Sequence, residues 1–540
     1  MEYIDDINYT NNEQPPRKRN WLPLYLAIAF LAGIWLANTF IPSASKNSTT
    51  QQTDKFNEIM RYINLYYIDT VNNDALFETA MNSMLHSLDP HSSYSNPEEQ
   101  KALQEQLDGA FEGIGVQFNI VNDTVIVVAV ISGGPSEKAG LRTGDRMVTV
   151  DGKDFTGVDN TAVFKTLRGK RNSVVNIGIL RDGFSQIYDY EITRDVIPTY
   201  TVDVSYMVDE KTGYVKINQF GSTTAKEFSQ ALRKLNGEGM QQLIVDLRGN
   251  HGGYLDACID ICDELLAGGE LIVYTEGLNS KPVKFFATNK GQFEEGNLVI
   301  LIDEFSASAS EIVAGAVQDQ DRGWIVGRRS FGKGLVQRQF DLRDRSSVRL
   351  TVSRYHTPSG RSIQKEYKNG MDAYSEDLLL RYENGEMDSD TNIVFDESLA
   401  YKTKKGRTVY GGGGIMPDYF VPVDHDTNLT AFYQVLNSSA LTEFALQYST
   451  QHQDDLRETY KSAKEYVRKM VITDETYRSL IRYHNTQNPG AKLAVSRASE
   501  KELRLWLKAL IGRNIFQEEA FFPVINTTDK GVMRAMELLR

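Results

Sequence analysis

The sequence predicts an α/β fold. A strand–helix core spans residues 200–424, with an inserted β-rich domain at 110–195, an N-terminal helical region at 54–109 and a C-terminal helical domain at 425–540. Three observations carry this reading. Within 200–424, continuous apolar runs ("QLIVDLRGN", "NLVILIDE") alternate with amphipathic ones ("TTAKEFSQALRKLN", "YLDACIDICDELLAGG"), as expected of strands buried between helices. Within 110–195, short strand-like runs ("TVIVVAVI", "RMVTVDG", "SVVNIGILRDG") are separated by turn residues. On either side of these segments, apolar residues recur at three- and four-residue steps.

Composition sets outer limits. A chain of 540 residues has room for about three or four domains. A net charge of −13 argues against a nucleic-acid partner, which calls for a basic face. Cys258 and Cys262 stand four apart on one face of an expected helix. Neighbours so placed make a poor disulfide, and both read as core residues.

At the N-terminal side, "PPRKRN" (15–20) precedes the uncharged run "WLPLYLAIAFLAGIWLANTFI" (21–41). Such a run matches the length of about 20 residues that spans a bilayer. Arg17, Lys18 and Arg19 flank it, which orients residues 1–20 to the cytoplasm and everything after Ile41 to the far side. The expectation is a single-pass anchor in the cell membrane with the rest of the chain extracytoplasmic, on the periplasmic side. A cleaved signal ending near "PSAS" is the alternative.

"KFNEIMRYINLYYIDTV" and "NDALFETAMNSMLHSL" keep helical spacing. "DPHSSYSNPEE" interrupts it, and Ser95 or Asn96 can cap a further helix opened by Pro97. In the β-rich segment one short helical run, "NTAVFKTLRG", falls among the strands. With "GIGV" at 113–116 and "GGPSEKAGLRTGDRMVTVDG" at 133–152, this segment resembles a PDZ domain. The resemblance places Gly113, Ile114, Gly115 and Val116 in the loop whose N–H groups receive a peptide's terminal carboxylate. It implies protein or peptide substrates with exposed C-termini, added as a strand to a sheet edge.

"SASASE" (306–311) follows an expected strand and opens the next helix. A nucleophilic serine needs a base, oxyanion donors and a means of holding a carbonyl against both. No histidine stands within forty residues on either side. Ser308-x-x-Glu311 is a capping box, which singles out the middle serine without invoking chemistry. His251 and His356 fall within the core and leave a Ser–His arrangement open. The other candidate base is Lys333, between Gly332 and Gly334 in "RRSFGKGLVQ". Flanking glycines allow close backbone approach. Burial can bring such a lysine toward neutrality for about 4 kcal/mol.

"SASASEIVAGAVQDQDRGWIVGRRSFGKGLVQ" resembles the carboxyl-terminal processing peptidases, also called tail-specific proteases, including the step from the middle serine to the lysine. "LDPHSSY", "DLRGNHGG", "YHTPSGRSIQ" and "YGGGGIMPD" agree with further segments of that family, so the resemblance covers about 55–424. It implies a serine endopeptidase of Ser–Lys type: Ser308 as nucleophile, Lys333 as base, Gln337 orienting the lysine. The N–H of Ala309 and one from the Gly252–Gly253 turn are the implied oxyanion donors. Gln337 lies four positions beyond Lys333, ~13 Å in an extended strand, so its implied role calls for a bend near Gly334. His251 stands where the family usually has proline. Glu311 and Asp319 are expected to be structural supports.

No metal, nucleotide or other cofactor is expected, since neither HExxH nor a Walker loop occurs. Oligomeric state is left open, a homo-oligomer included. Two rivals differ in class: a Ser-His-Asp hydrolase using His251 or His356, and a non-enzymatic PDZ scaffold on the membrane. The C-terminal domain carries no catalytic motif and is expected to serve packing or assembly.

Overall fold

The apolar runs of the core become the central strands of a six-stranded sheet. Its order is Val202–Met207, Thr212–Ile217, Gln242–Asp246, Asn297–Ile302, Trp324–Gly327, Tyr419–Phe420. Every neighbour pair is parallel except the first. Alternation along these strands is hidden in the sequence because both faces are covered. Leu243, Val245, Ile300 and Ile302 pack under the helices Thr224–Gly237, Leu255–Leu265 and Ala309–Asp319. Ile244, Val299, Leu301 and Val326 pack on the opposite face against Val532, Ala535 and Leu539 of the helix Lys530–Leu539. The C-terminal region therefore supplies part of the α/β core. Cys258 and Cys262 are free thiols buried in the first layer.

The computed structural model describes residues 21–40 and 48–540, apart from residues 122, 132, 182, 183, 185, 279, 424, 425, 491 and 492. The expected cytoplasmic segment 1–20 and the "PSAS" stretch lie outside the described residues. The chain divides into a unit ending at Thr79 and a second from Ala80 to Arg540. In the first, Leu22–Phe40 and Ser48–Tyr66 are helices, the former without a charged residue. Among the described residues no helix is long and apolar enough to cross a membrane; the side chains of 34–40 lie outside them.

In the second unit, Asn96 caps the helix Pro97–Asp108, its side chain accepting the N–H groups of Glu98 and Glu99. The PDZ segment is an antiparallel sheet of Val116–Val121, Thr124–Val130, Arg146–Val150, Val174–Leu180 and Ile187–Thr193 around its own core. Two helices sit on it, not one. Besides Asn160–Leu167 there is Pro135–Ala139, a single turn opened by Pro135 and closed by Gly140 in the left-handed region. The strand Ala110–Gly113 pairs with Asp195–Pro198, so the domain begins and ends on one ribbon.

A second, antiparallel sheet of the core begins just after the lysine. Leu335–Asp341 pairs with Ser347–His356, which is also flanked by Ser93–Ser95 and Leu271–Gly277. The helices between Thr430 and Phe516 enclose a separate apolar cluster.

Candidate active site

The three serines of "SASASE" part company at the start of the helix Ala309–Asp319. Ser306 and Ser310 are fully buried, and their hydroxyls donate to the carbonyls of Leu247 and Asn250, each at 2.9 Å. Both are committed to holding the "DLRGN" turn. Ser308 instead lines a cavity of about 690 Å³. Its backbone lies at φ +54°, ψ −111°, a conformation that costs a non-glycine residue about 1–3 kcal/mol. Half of the expected capping box is present: Glu311 accepts the Ser308 N–H at 2.8 Å, while the Glu311 N–H bonds the Ser308 carbonyl and not its hydroxyl.

Glu311 does more than cap. Its fully buried carboxylate also accepts the Ser330 hydroxyl (2.5 Å), the Gly332 N–H (2.7 Å) and the Lys333 N–H (2.8 Å). One carboxylate thus holds the backbones of Ser308 and Lys333 together. Burial pushes its pKa up to about 7, against the pull of those hydrogen bonds. From another direction, the buried Tyr355 hydroxyl donates to the Lys333 carbonyl at 2.6 Å and reaches the Ser308 carbonyl at 3.2 Å.

Lys333 lines the same cavity as Ser308. Burial, and then the charge of Arg349, lower its pKa from the ordinary lysine value; Glu311 and Asp89 oppose this. Among the described residues its ammonium has no carboxylate partner. The flanking glycines act as expected: a Cβ at Gly334 would lie 2.9 Å from the Gln364 N.

Gly252, Gly253 and Ala309 also line the cavity. A Cβ at Gly252 would stand 2.8 Å from Ser308 Cβ and 3.0 Å from the Ala309 N, so only glycine lets the two turns meet. The Gly252 N–H is already bonded to Asn250 Oδ1 at 2.9 Å. Those of Gly253 and Ala309 make no hydrogen bond among the described residues. The turn is held by Phe220, whose N–H donates to the Gly252 carbonyl (3.0 Å) and whose carbonyl accepts the Tyr254 N–H (2.7 Å). Behind it, Asp246 is buried; the neighbouring Arg248 and Lys216 outweigh the effect of burial and hold its carboxyl well below the usual range. Arg248 reaches on to Asp529 at 2.9 Å.

Gln337 lines the cavity, and its amide donates to Thr351 Oγ1 at 3.3 Å, not to Lys333. The strand register breaks between Val336 and Gln337, two to three residues beyond Gly334, where a bend is expected. Thr351 in turn donates to Asp89 at 2.9 Å. Burial raises the Asp89 pKa, but hydrogen bonds from Ser92, His91 and Thr351 outweigh it and hold it low. His91 is pushed down to about 4 by burial and then by the charge of Lys333. It is a neutral imidazole bonded to the Tyr374 hydroxyl at 2.9 Å. Asp89, His91 and Tyr355 sit in motifs noted in the sequence, but neither spacing nor periodicity gave them a role.

Of the two candidate histidines, His251 lines the cavity. His356 stacks on Tyr274 at 4.8 Å and bonds to the Gly360 carbonyl, away from it. Asp319 is a support: it pairs at 2.8 Å with the buried Arg361. In the PDZ domain, Gly113 ends a strand, Ile114 is buried, Gly115 takes φ +77° and Val116 starts the next strand. The N–H groups of Ile114 and Gly115 are unbonded among the described residues.

Comparison with known proteins identifies the domains and the family. The profile of peptidase family S41 matches residues 211–372, that of the PDZ domain 113–189, and that of a family of unknown function 431–517. The chain is 36% identical over 348 residues to the carboxy-terminal-processing protease of Bartonella bacilliformis, covering 62% of this chain and 80% of the relative. It is 31% identical over 381 residues to the carboxy-terminal processing protease CtpA of Bacillus subtilis, covering 68% and 81%. Among solved structures, the photosystem II D1 C-terminal processing protease aligns at 30% identity and TM-score 0.33, over 57% of this chain and 83% of that one. With its PDZ domain and its α/β core, the chain belongs to the carboxy-terminal processing serine proteases of peptidase family S41.

Proposed function

We propose that the protein is a membrane-tethered, extracytoplasmic endopeptidase working through a Ser308–Lys333 dyad. The observation that carries this reading is the single cavity that gathers Ser308, Lys333, Gln337 and the unbonded N–H groups of Gly253 and Ala309. Ser308 Oγ attacks the scissile carbonyl while Lys333 Nζ, whose proton burial makes easier to lose, takes the hydroxyl proton in its free-amine form. The oxyanion is received by Gly253 and Ala309, the latter at a helix N-terminus where free donors point outward. Gly252 serves by fitting between the turns. The lysine then returns the proton to the leaving amine, and water, activated by the same lysine, releases the acyl group. Gln337 acts on the lysine through the Thr351–Asp89 chain. Gly113, Ile114, Gly115 and Val116 of the PDZ domain capture a substrate C-terminus or regulate access. The uncharged helix Leu22–Phe40 and the basic residues before it support the anchor.

Parallel assays of Ser308→Ala, Lys333→Ala and His251→Ala on an unfolded protein test the dyad. The first two are expected to lose cleavage, and wild-type activity to rise with pH through the depressed lysine pKa. An active Lys333→Ala with a dead His251→Ala would replace the dyad by a Ser–His pair, the one histidine reading the cavity allows. The same strains, fractionated, are expected to show the enzyme in membranes and digestible from outside; recovery in the cytoplasmic fraction would remove the tether.

A further inference from the structure

The cavity at Ser308 has a charge character opposite to that of the chain. The protein carries a net −13, yet no Asp or Glu is among the residues lining this cavity. Two basic side chains line it, Lys333 and Arg349, and His251 is among the lining residues. A cleft of one sign concentrates ligands of the other.

Lys333 has its role in the dyad. Arg349 has none there. It lies on the strand Ser347–His356, opposite Gln339 on one side and Ser93 on the other. Its guanidinium is about half-buried, and among the described residues it makes no ion pair or hydrogen bond. Elsewhere in the core, buried arginines are matched: Arg248 meets Asp246 at 2.6 Å, Arg361 meets Asp319 at 2.8 Å and Arg381 meets Asp377 at 3.1 Å. The titratable groups felt by Arg349 are the Tyr254 hydroxyl and the Lys333 side chain. Neither is an anion at neutral pH. A half-buried guanidinium without a counter-ion is a costly arrangement that a bound carboxylate relieves, by two parallel charge-assisted hydrogen bonds.

We propose that Arg349 is a substrate subsite that receives a carboxylate, so that the peptidase prefers chains carrying one close to the scissile bond. This rests on Ser308 being the site of cleavage. Gln339, which faces Arg349, is six positions beyond Lys333. At ~3.3 Å per residue the carboxylate lies within roughly six extended residues of the reacting carbonyl. Two sources present this chemistry: the α-carboxylate of the chain end, and the side chain of Asp or Glu.

Two pairs of short fluorescent peptides separate the sources. One pair differs by a free C-terminal acid or its amide. The other is amidated throughout and differs by Glu or Gln within six residues of the cleaved bond. For each pair the ratio of kcat/KM, acid over neutral, is measured for wild type, Arg349→Gln and Arg349→Lys. A ratio cancels any common effect of the variant on Lys333 or on folding. Binding is measured in parallel on Ser308→Ala and Ser308→Ala/Arg349→Gln, so a variant that no longer cleaves still reports.

Wild type is expected to favour the acidic member of at least one pair by about tenfold to hundredfold, the range of one charge-assisted hydrogen bond. Arg349→Gln is expected to bring that ratio near one, and Arg349→Lys to keep part of it. A response of the first pair alone assigns the chain end, and of the second an internal acid. Ratios near one in wild type, or an acid preference that survives in Arg349→Gln and so originates elsewhere (the PDZ loop included), overturn the proposal. Cleavage by Ser308→Ala would sink the dyad reading while leaving the binding ratio to judge Arg349.

Discussion

Glu311 is the residue on which the geometry of the proposed dyad turns. It accepts hydrogen bonds from Ser308, Ser330, Gly332 and Lys333, and burial holds its pKa at about 7. A carboxyl raised above its unfolded value keeps its proton longer when folded. Its contribution to stability is present below the unfolded value and is lost as pH climbs to about 7. Comparing urea denaturation of wild type with Glu311→Gln, the wild type's relative stability should fall as pH rises from about 4.5 to about 7, by on the order of 3 kcal/mol. A difference that stays flat would mean that the carboxyl does not titrate in the fold. Activity of the variant should drop in kcat more than in KM, because the substitution loosens the placement of serine against lysine.

The elements that bring these residues together were unequally readable. "SASASE" announced its helix start through Ser308 and Glu311, and "GKG" announced a close approach at Lys333. Both are local signals, written in neighbouring residues. The partner of Gln337 was not readable: it depends on Thr351 and Asp89, which belong to other strands and turns and carry no spacing rule. Arg349 was missed for the same reason, since its alternation on an edge-flanked strand looks like any exposed arginine. The turn Gly252–Gly253 lies between these cases, as glycines are plain in the sequence but the choice between their N–H groups rests on Asn250. A Cβ at Gly253 would fall 2.0 Å from the Phe220 carbonyl. Gly253→Ala should therefore displace the proposed oxyanion donor and lower kcat by roughly 10²–10³-fold, while peptide binding to the PDZ domain is unchanged. Steady-state kinetics beside fluorescence titration measure both. Wild-type kcat in this variant would exclude the turn from the oxyanion site.

Taken whole, the molecule does not confine its protease core to the segment that matches family S41. The helix Lys530–Leu539 covers one face of the central sheet, and Asp529 at its cap pairs with Arg248 in the turn that leads to Gly253. The family resemblance ended near residue 424, so the sequence hid this: an amphipathic helix declares that it packs, not against what. Val532 is buried in that layer. Val532→Asp should cost about 3–5 kcal/mol, as for an unpaired charge placed in a core. Melting temperature and limited proteolysis should show the α/β core itself weakened; loss confined to the C-terminal helices would separate the two. There is also a consequence for the order of synthesis. Ser308 and Lys333 leave the ribosome well before residues 530–539, and until those arrive the sheet behind the serine has one bare side. A nascent chain therefore carries both side chains of the proposed dyad before it owns a finished sheet behind them, and the enzyme is not armed until its last helix has docked.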